Sequence, residues 1–563
     1  MNEKSGTWAV VWQQFKKNKI GMCALCLCAL FFFVGLYAPL FASSKPLLVY
    51  WDNTFYTPLL RYLFYRGYYT KPIDLFFNVL MVTFPLFLCA FFFFRRQKKF
   101  MASIVILHCC LFGWLLMAPV KNPAKDHLGA EDAIDLFYED PILAPFAQQQ
   151  TWTAAIATLS PYTKLNYLLE YKKIEAQQTR LASARELYLA QIGREMPTLW
   201  SNWERNETSK EQQLVTLLKE TDATYKKAKA ELPILIEAYR PFSHALIMAK
   251  YALEHAKQDD GEEKLNRVIQ EAAAVRADLV NARHAIQAYE KAQGELEFLK
   301  EKRVWLTEES QKIKILIPPL VRSFHWEEDA GGAQDANQYI PWWELTRINR
   351  KDLVASLLFG IRVSIVVGFL AVLLSLLVGI PLGTLAGYFA GTVDLIICRL
   401  IEVWEAMPTF FMLLLIVAIT QSKSIFLIIS VLGLFGWTGF GRFIRSEVLK
   451  QRKLPYVEAC HSLGFGHARI MFSQILPNAI PPILTLLPFS MMAAITSEAG
   501  LSFLGLGEEG STSWGVLMDE GRSVFPGESY LLWPPAILLT LFLISIALVG
   551  DTLRDALDPK MRH

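Results

Sequence analysis

The sequence reads as an all-α integral membrane protein with about eight transmembrane helices and a helical, coiled-coil-like extracytoplasmic insertion. That expectation rests on three features. Hydrophobic residues make up 53% of the 563 and mean hydropathy is +0.27, while charged residues reach only 19%; soluble domains carry about 25% charged residues. The apolar excess is gathered into runs of the roughly 20 residues needed to cross about 30 Å of hydrocarbon. Between residues 121 and 345, by contrast, the chain is polar for about 225 residues and carries a helical period.

The runs fall at about 20–42, 73–94, 102–120, 356–383, 399–420, 424–441, 478–497 and 531–550. The first follows Lys16, Lys17 and Lys19 like the start of a signal peptide. It is longer than such a core, and Phe41-Ala42-Ser43-Ser44 is a poor cleavage site, so an uncleaved anchor is expected. Lysines and arginines beside the spans set orientation. Lys16, Lys17 and Lys19 place the N-terminus inside. Alternation then puts Arg95-Arg96-Gln97-Lys98-Lys99, Arg399, the basic segment Arg442 to Arg469, and the tail with Arg554, Lys560 and Arg562 on that same side. A net charge of +3 gives no reason to expect nucleic acid or an acidic partner.

Two segments fall outside in this topology. Tyr50 to Lys71 is crowded with Trp51, Phe55, Tyr56, Tyr62, Phe64, Tyr65, Tyr68 and Tyr69. Such amphipathic rings favour the headgroup layer, so this stretch is expected to lie along the outer surface. Arg61, Arg66 and Lys71 within it run against the positive-inside tendency. In the polar stretch, Leu265, Val268, Ala272, Val275, Leu279, Ala282, Ile286, Tyr289, Gln293 and Leu296 alternate by three and four, a seam that predicts a coiled-coil hairpin or bundle. Pro233 and Gly261 are expected at turns before it, and the hairpin serves either as a spacer or as a docking surface. None of the eight cysteines falls between Lys121 and Leu345, so this is not a disulfide-stapled module.

The basic segment reads Glu458-Ala459-Cys460-His461-Ser462-Leu463-Gly464, then nine residues, then Gln474-Ile475-Leu476-Pro477-Asn478. It predicts a short helix, a glycine break, and a second short helix with apolar residues at Ala468, Met471, Phe472 and Ile475. Pro477 would then open the next span, since a first helical turn tolerates a missing N–H. The pattern resembles the EAA loop of binding-protein-dependent ABC importer permeases: Glu-Ala-Ala, three residues, Gly, nine residues, and an ending in Leu-Pro. Cys460 stands where the second Ala is usual, and Gln474 where an apolar residue is commoner. In that family the loop is a coupling helix seated in a groove of the ATPase subunit. The resemblance therefore implies ATPase-coupling roles for Glu458, Ala459, Cys460, Gly464, Leu476 and Pro477.

Three further blocks are similar to the dipeptide/oligopeptide subfamily. They are Glu498 to Gly507 followed by Ser513-Trp514-Gly515-Val516-Leu517-Met518; Gly550 to Pro559; and Gly360 to Gly368 running through Pro381 to Gly387. Glu498, Gly505, Gly507, Trp514 and Gly515 form the outer segment of that motif. The linker Glu508 to Thr512 lacks the subfamily's usual prolines, and Arg350-Lys351-Asp352 stands where Gly-Arg-Asp is usual. The resemblance implies a six-span core into which two spans and the helical region are inserted. Residues 1–43 would then be the N-terminus and first anchor, 44–120 the aromatic segment and inserted spans, 121–345 the insertion, and 346–563 the core with its coupling loop at about 442–477. It also implies two ABC ATPase subunits carrying ATP and Mg, a second homologous permease, a periplasmic substrate-binding protein, and a bacterial inner-membrane location.

Single residues say less. Glu402 and Glu405 are expected in interfacial water, in contact with the ATPase or gating the pathway; Arg362 is expected to snorkel from the outer end of its span, and Glu498 to cap one. Gly505 and Gly507 read as tight turns. No Gly-x-x-x-x-Gly-Lys-Ser/Thr is present, so ATP is not expected on this chain, nor does any His or Cys spacing suggest a metal. A membrane-anchored scaffold or sensor using the helical insertion is the alternative reading. No residue decides among dipeptide, oligopeptide, peptide-like or nickel cargo.

Overall fold

Apolar runs become helices. The computed structural model describes residues 7–93, 97–119, 151–255, 258–321, 339–340, 352–523, 525–526 and 531–557. Arg95, Arg96, Arg350, Lys351, Asp558, Pro559, Lys560 and Arg562 lie outside the described residues. Two units are formed, one from residues 1–49, 57–121 and 316–563 and the other from 50–56 and 122–315. Strands Leu48–Trp51, Thr54–Tyr56 and Ile315–Ile317 make a three-stranded sheet with Leu48–Trp51 in the middle, a small addition to the all-helical expectation.

Among the described residues of the first unit, seven helices are long and apolar enough to cross a membrane, and a bent pair, taken as one span, makes an eighth. They begin with Lys19–Leu36, Pro72–Phe93 and Gln97–Met117; the first is capped by the Asn18 side chain, which accepts from Gly21 N at 3.1 Å. The run expected as one span at 399–420 is instead two helices, Gly391–Glu405 and Thr409–Thr420, bent by 70°. Pro408 sits at the break, where its ring removes a donor and pushes Met407 away from helical geometry. The run at 424–441 continues as helix Ile425–Arg452, so Arg442, Arg445, Lys450 and Arg452 belong to a helix and not to a loop. The following run is split into Leu476–Ile483 and Leu487–Leu501 in a stretch carrying Pro481, Pro482 and Pro488. Helix Trp533–Leu557 closes the chain's described part.

The central contact joins Leu353–Phe389 to Ile425–Arg452. Ser375, Gly379, Gly383 and Gly387 recur every fourth residue and so lie on one face. A Cβ on Gly379 would lie 2.7 Å from Trp437 O, one on Gly383 2.5 Å from Gly441 O, and one on Gly387 2.8 Å from Arg445 O. Ser375 Oγ donates to Gly433 O at 2.9 Å. Small residues let two backbones approach where lipid offers no hydrophobic drive for association.

Arg362, expected to snorkel, is fully buried. Its guanidinium meets Asp74 Oδ1 at 3.2 Å and donates to Gly35 O at 2.8 Å and Leu36 O at 3.3 Å. Gly35 and Leu36 are the last residues of Lys19–Leu36, whose final carbonyls lack partners within the helix. A cation there also complements the helix dipole. Arg362 thus caps the first helix while pairing with Asp74 at the start of the inserted helix Pro72–Phe93.

The aromatic segment does not simply lie along a surface. Leu59, Tyr62, Leu63 and Tyr69 are buried, Lys45 sits 5.2 Å over the Tyr62 ring, and Tyr68 Oη lies 2.8 Å from Ser44 Oγ. Asn78 Nδ2 donates to Leu63 O at 2.8 Å. Phe55 and Leu60 stay exposed. The rings pack edge to face on one another (Tyr62–Tyr68 5.9 Å, Tyr68–Tyr69 5.0 Å).

The second unit is built on two long helices, Leu199–His255 of 57 residues and Gln258–Gln311 of 54. At 1.5 Å per residue each spans about 80 Å or slightly more. Their seam buries Ala272, Leu279, Ala282, Ile286 and Leu296, and Tyr289 stacks on Tyr225 at 4.1 Å. Gln293, expected in the seam, is exposed, and Ala292 is buried in its place. Leu296 keeps its place in the seam, and Ala292 is buried beside it with Leu214. Pro233 and Gly261 do not make turns: both lie inside the long helices. Packing of Leu232 and Leu235 against Ala282 and Ile286 offsets the hydrogen bond lost at Pro233. At the base, Trp152 is boxed edge-to-face by Tyr167, Phe298 and Trp305.

Candidate functional site

The segment singled out by the Glu458-to-Pro477 pattern begins where Ile425–Arg452 stops. Pro455 occupies the first turn of helix Pro455–Ser462, where its fixed φ suits helix entry. The helix closes on Gly464, at φ +74°. Gly464 N donates to His461 O at 2.9 Å and Phe465 N to Cys460 O at 3.1 Å. This pair of bonds is the Schellman arrangement, which needs a left-handed residue and so favours glycine.

The second helix differs from the expected short one. His467–Arg469, a π-helical segment Ile470–Ile475, and Leu476–Ile483 run on without a gap; Pro477 stands in the first turn of Leu476–Ile483, as expected, but no break precedes it. Pro477 cannot donate to the carbonyl four residues back, and the wider π turn just before it accommodates the loss. The extra residue in that turn also shifts the apolar face. Ile470, Met471 and Ile475 are buried, whereas Ala468 and Phe472, expected on the same face, are exposed.

Val457, Ile470, Met471 and Ile475 pack with Tyr388, Phe440, Ile444 and Val448 from the two long core helices; Cys460 and Leu476 lie against this cluster. Glu458, Ala459, Gly464 and Pro477 are exposed. Leu463, next to the glycine turn, is 72% exposed. The short helix therefore sits on the core by one side and presents a carboxylate, a small residue and a bare leucine on the other.

Three residues not anticipated from sequence tie the loop down. Tyr388, near the end of Leu353–Phe389, is buried, and its hydroxyl lies 2.8 Å from His467 Nδ1 and 3.5 Å from His461 Nε2. His461 and His467 stand three residues before and after Gly464, a symmetry visible in the sequence once the turn is recognised. Nearby, Arg445 pairs with Asp394 through both carboxylate oxygens, and Arg442 with Glu405. Glu402 pairs with Arg399.

At the other end of Leu353–Phe389 lies the second motif. Trp514 is 1% exposed; its Nε1 donates to Leu357 O at 3.1 Å, and a Cβ on Gly360 would come within 2.8 Å of its ring. Gly515 lies against Ala499, where a Cβ would be 2.5 Å from the carbonyl oxygen. Gly505 takes φ +82°, and a Cβ on Gly507 would be 2.5 Å from Val516. Glu498, expected to cap a span, is buried inside one and accepts from Ser502 Oγ at 2.7 Å. These residues make a packed knot around the indole.

Comparison with known proteins places the segment in context. Residues 379–563 match the family described as binding-protein-dependent transport system inner membrane component, and residues 6–58 the N-terminal TM domain of oligopeptide transport permease C. The dipeptide transport system permease protein DppC of Alkalihalophilus pseudofirmus is 31% identical over 251 residues, covering 44% of this chain and 82% of that protein. The chain belongs to the binding-protein-dependent transport permease family. The oligopeptide transport system permease protein OppC of Bacillus subtilis is 34% identical over 213 residues, 38% of this permease and 70% of its own length. The peptidoglycan transport system permease protein YejE of Agrobacterium fabrum is 36% identical over 219 residues, 39% of this permease. The chain spans only 57% of that relative's length. The loop from Glu458 to Pro477 and the segment from Glu498 to Gly515 lie in the matched stretch, whereas Asp74, Arg362, the Leu357 and Gly360 side of the knot, and the long helical pair fall between the two matches.

Proposed function

We propose that the chain is the transmembrane permease subunit of an ATP-binding-cassette importer, forming half of a pathway for peptides or peptide-like substrates. Two ATPase subunits, carrying ATP and Mg, would grip the loop; a second homologous permease would complete the pathway, and a periplasmic binding protein would deliver the cargo. The chain itself performs no catalysis in this reading and holds no nucleotide. It sits in the bacterial inner membrane with both termini cytoplasmic. The observation that carries the proposal is the glycine-closed helix Pro455–Ser462, seated on the two long core helices by Val457 while Glu458, Ala459 and Leu463 stay exposed. A soluble partner binding that exposed side moves the seat, and the seat moves the spans. The names of the relatives favour peptide cargo.

The test is side-specific labelling together with uptake. A thiol at Ser462→Cys is expected to react with a membrane-impermeant maleimide only in inverted vesicles, compared with the parent chain. Reaction from the periplasmic face alone ends the reading, as does peptide uptake in proteoliposomes containing this chain and no ATPase. The long helical pair favours a second reading, a membrane-anchored scaffold. Removal of residues 122–315 separates the two, because an importer core still binds its ATPases and a scaffold loses its role.

A further inference from the structure

The inserted helices Pro72–Phe93 and Gln97–Met117 leave a gap against the core. A cavity of about 720 Å³ lies there, with Pro72 and Leu80 from one inserted helix, Leu116 from the other, and Ile365, Phe369 and Phe426 from the core in its wall. Every side chain in that wall is hydrocarbon. Phe369 and Phe426 are 57% and 43% exposed, so the cavity is open at its rim.

Its depth says what fits. From Pro72 to Leu80 the helix rises about 12 Å, less than half of a hydrocarbon core of about 30 Å. A helix from another subunit crosses both leaflets and would need a groove through both. An acyl chain ends near the midplane. The polar end points the same way: half-buried Arg66 donates from Nη1 to Leu116 O at 2.7 Å, which holds a guanidinium beside the last wall residue of Gln97–Met117. Among the described residues no carboxylate pairs with Arg66. Lys71, five residues further on, is by contrast engaged by Glu508 at 3.0 Å.

We propose that this cavity holds one acyl chain of a phospholipid from the leaflet on the Arg66 side, outer in the orientation proposed above, with its phosphate bound by Arg66. A guanidinium offers a fork of donors matched to phosphate oxygens, and the site becomes complete only with a ligand that is anionic at one end and hydrocarbon along the rest. The lipid then fills the joint between the inserted helices and the core.

The full chain is reconstituted in vesicles of phosphatidylethanolamine and phosphatidylglycerol, re-extracted in mild detergent and weighed by native mass spectrometry. One phospholipid retained per chain is expected. Arg66→Gln removes the charge-assisted contact and is expected to lower retention by about tenfold; Ile365→Trp puts an indole across the cavity in the path of the chain and is expected to abolish it. Phe369→Trp, on the exposed rim, closes the mouth and serves if Ile365→Trp fails to fold. Retention equal in the parent and in the folded variants overturns the proposal. So does a photoreactive residue at position 369 that captures a protein helix instead of lipid.

Discussion

Replacing Asp74 with alanine strips the buried Arg362 of its counterion. The guanidinium has no access to water, and the carboxylate lies 3.2 Å away. At an effective dielectric near 20, that separation corresponds to about 5 kcal/mol of attraction. The carbonyls of Gly35 and Leu36 remain as acceptors and moderate the loss, so a destabilisation of about 3–5 kcal/mol is expected, the usual effect of breaking one side of a buried pair. Asp74→Asn keeps an oxygen for the hydrogen bond and is expected to lose less. Removing both charges, as Asp74→Leu with Arg362→Met, is expected to recover most of the stability, because no charge is then left stranded. Thermal aggregation of the purified proteins, followed by size-exclusion chromatography, compares the parent with these three variants. If Asp74→Ala melts with the parent, or if the double variant is as unstable as the single one, the pair does not hold the inserted helix to the core.

Gly464→Ala meets open space around its new methyl group, so its cost is the left-handed backbone, about 1–2 kcal/mol; normal yield with weakened ATPase-coupled uptake is expected in proteoliposomes. Tyr388→Phe removes the hydroxyl between His461 and His467, and a loss of about 0.5–1.5 kcal/mol in loop stability should appear as faster proteolysis at the glycine turn. Gly383→Ala pushes a methyl to 2.5 Å from Gly441 O, and overpacking of about 1–3 kcal/mol should lower the melting temperature without altering the loop's labelling.

Much of the fold was legible because hydrocarbon thickness fixes span length: the runs at 73–94, 102–120, 356–383 and 531–550 each fall on one helix, and that at 20–42 on Lys19–Leu36 with the short helix Ala38–Phe41 after it. What periodicity could not give was geometry set by neighbours. The 70° bend at Pro408 falls inside a run that looks continuous by hydropathy. The π segment before Pro477 shifts the buried face from Ala468 and Phe472 to Ile470. Arg362 looked like a snorkelling end because its partners sit about 290 and 330 positions away in sequence. A signal was present nonetheless: Arg362 and Asp74 are the only charged residues in the runs 356–383 and 73–94. Two lone opposite charges in separate spans point to each other, since neither is tolerated alone in hydrocarbon. The loop at Glu458 to Gly464 was legible as a helix-and-glycine pattern, but its anchoring by Tyr388 required a contact between residues 79 apart.

The length of Leu353–Phe389 explains how a loop at one end can matter to the knot at the other. Its 37 residues rise about 55 Å, well beyond the roughly 20 residues that a bilayer requires. The stripe of Ser375, Gly379, Gly383 and Gly387 presses this helix against Ile425–Arg452 at backbone distance, and packed helix pairs of this kind shift as rigid bodies more readily than they deform. A displacement of the seat formed by Val457, Tyr388 and Ile444 is therefore carried along both helices together. At the far end the same helix supplies Gly360 and Leu357 to Trp514, and Arg362 to the first and inserted helices. Under the proposed coupling, force applied beside Gly464 reaches the Trp514 knot through two helices that cannot slide past each other. Gly383→Ala would then weaken uptake more than ATPase binding, and equal loss of both would place the lever elsewhere.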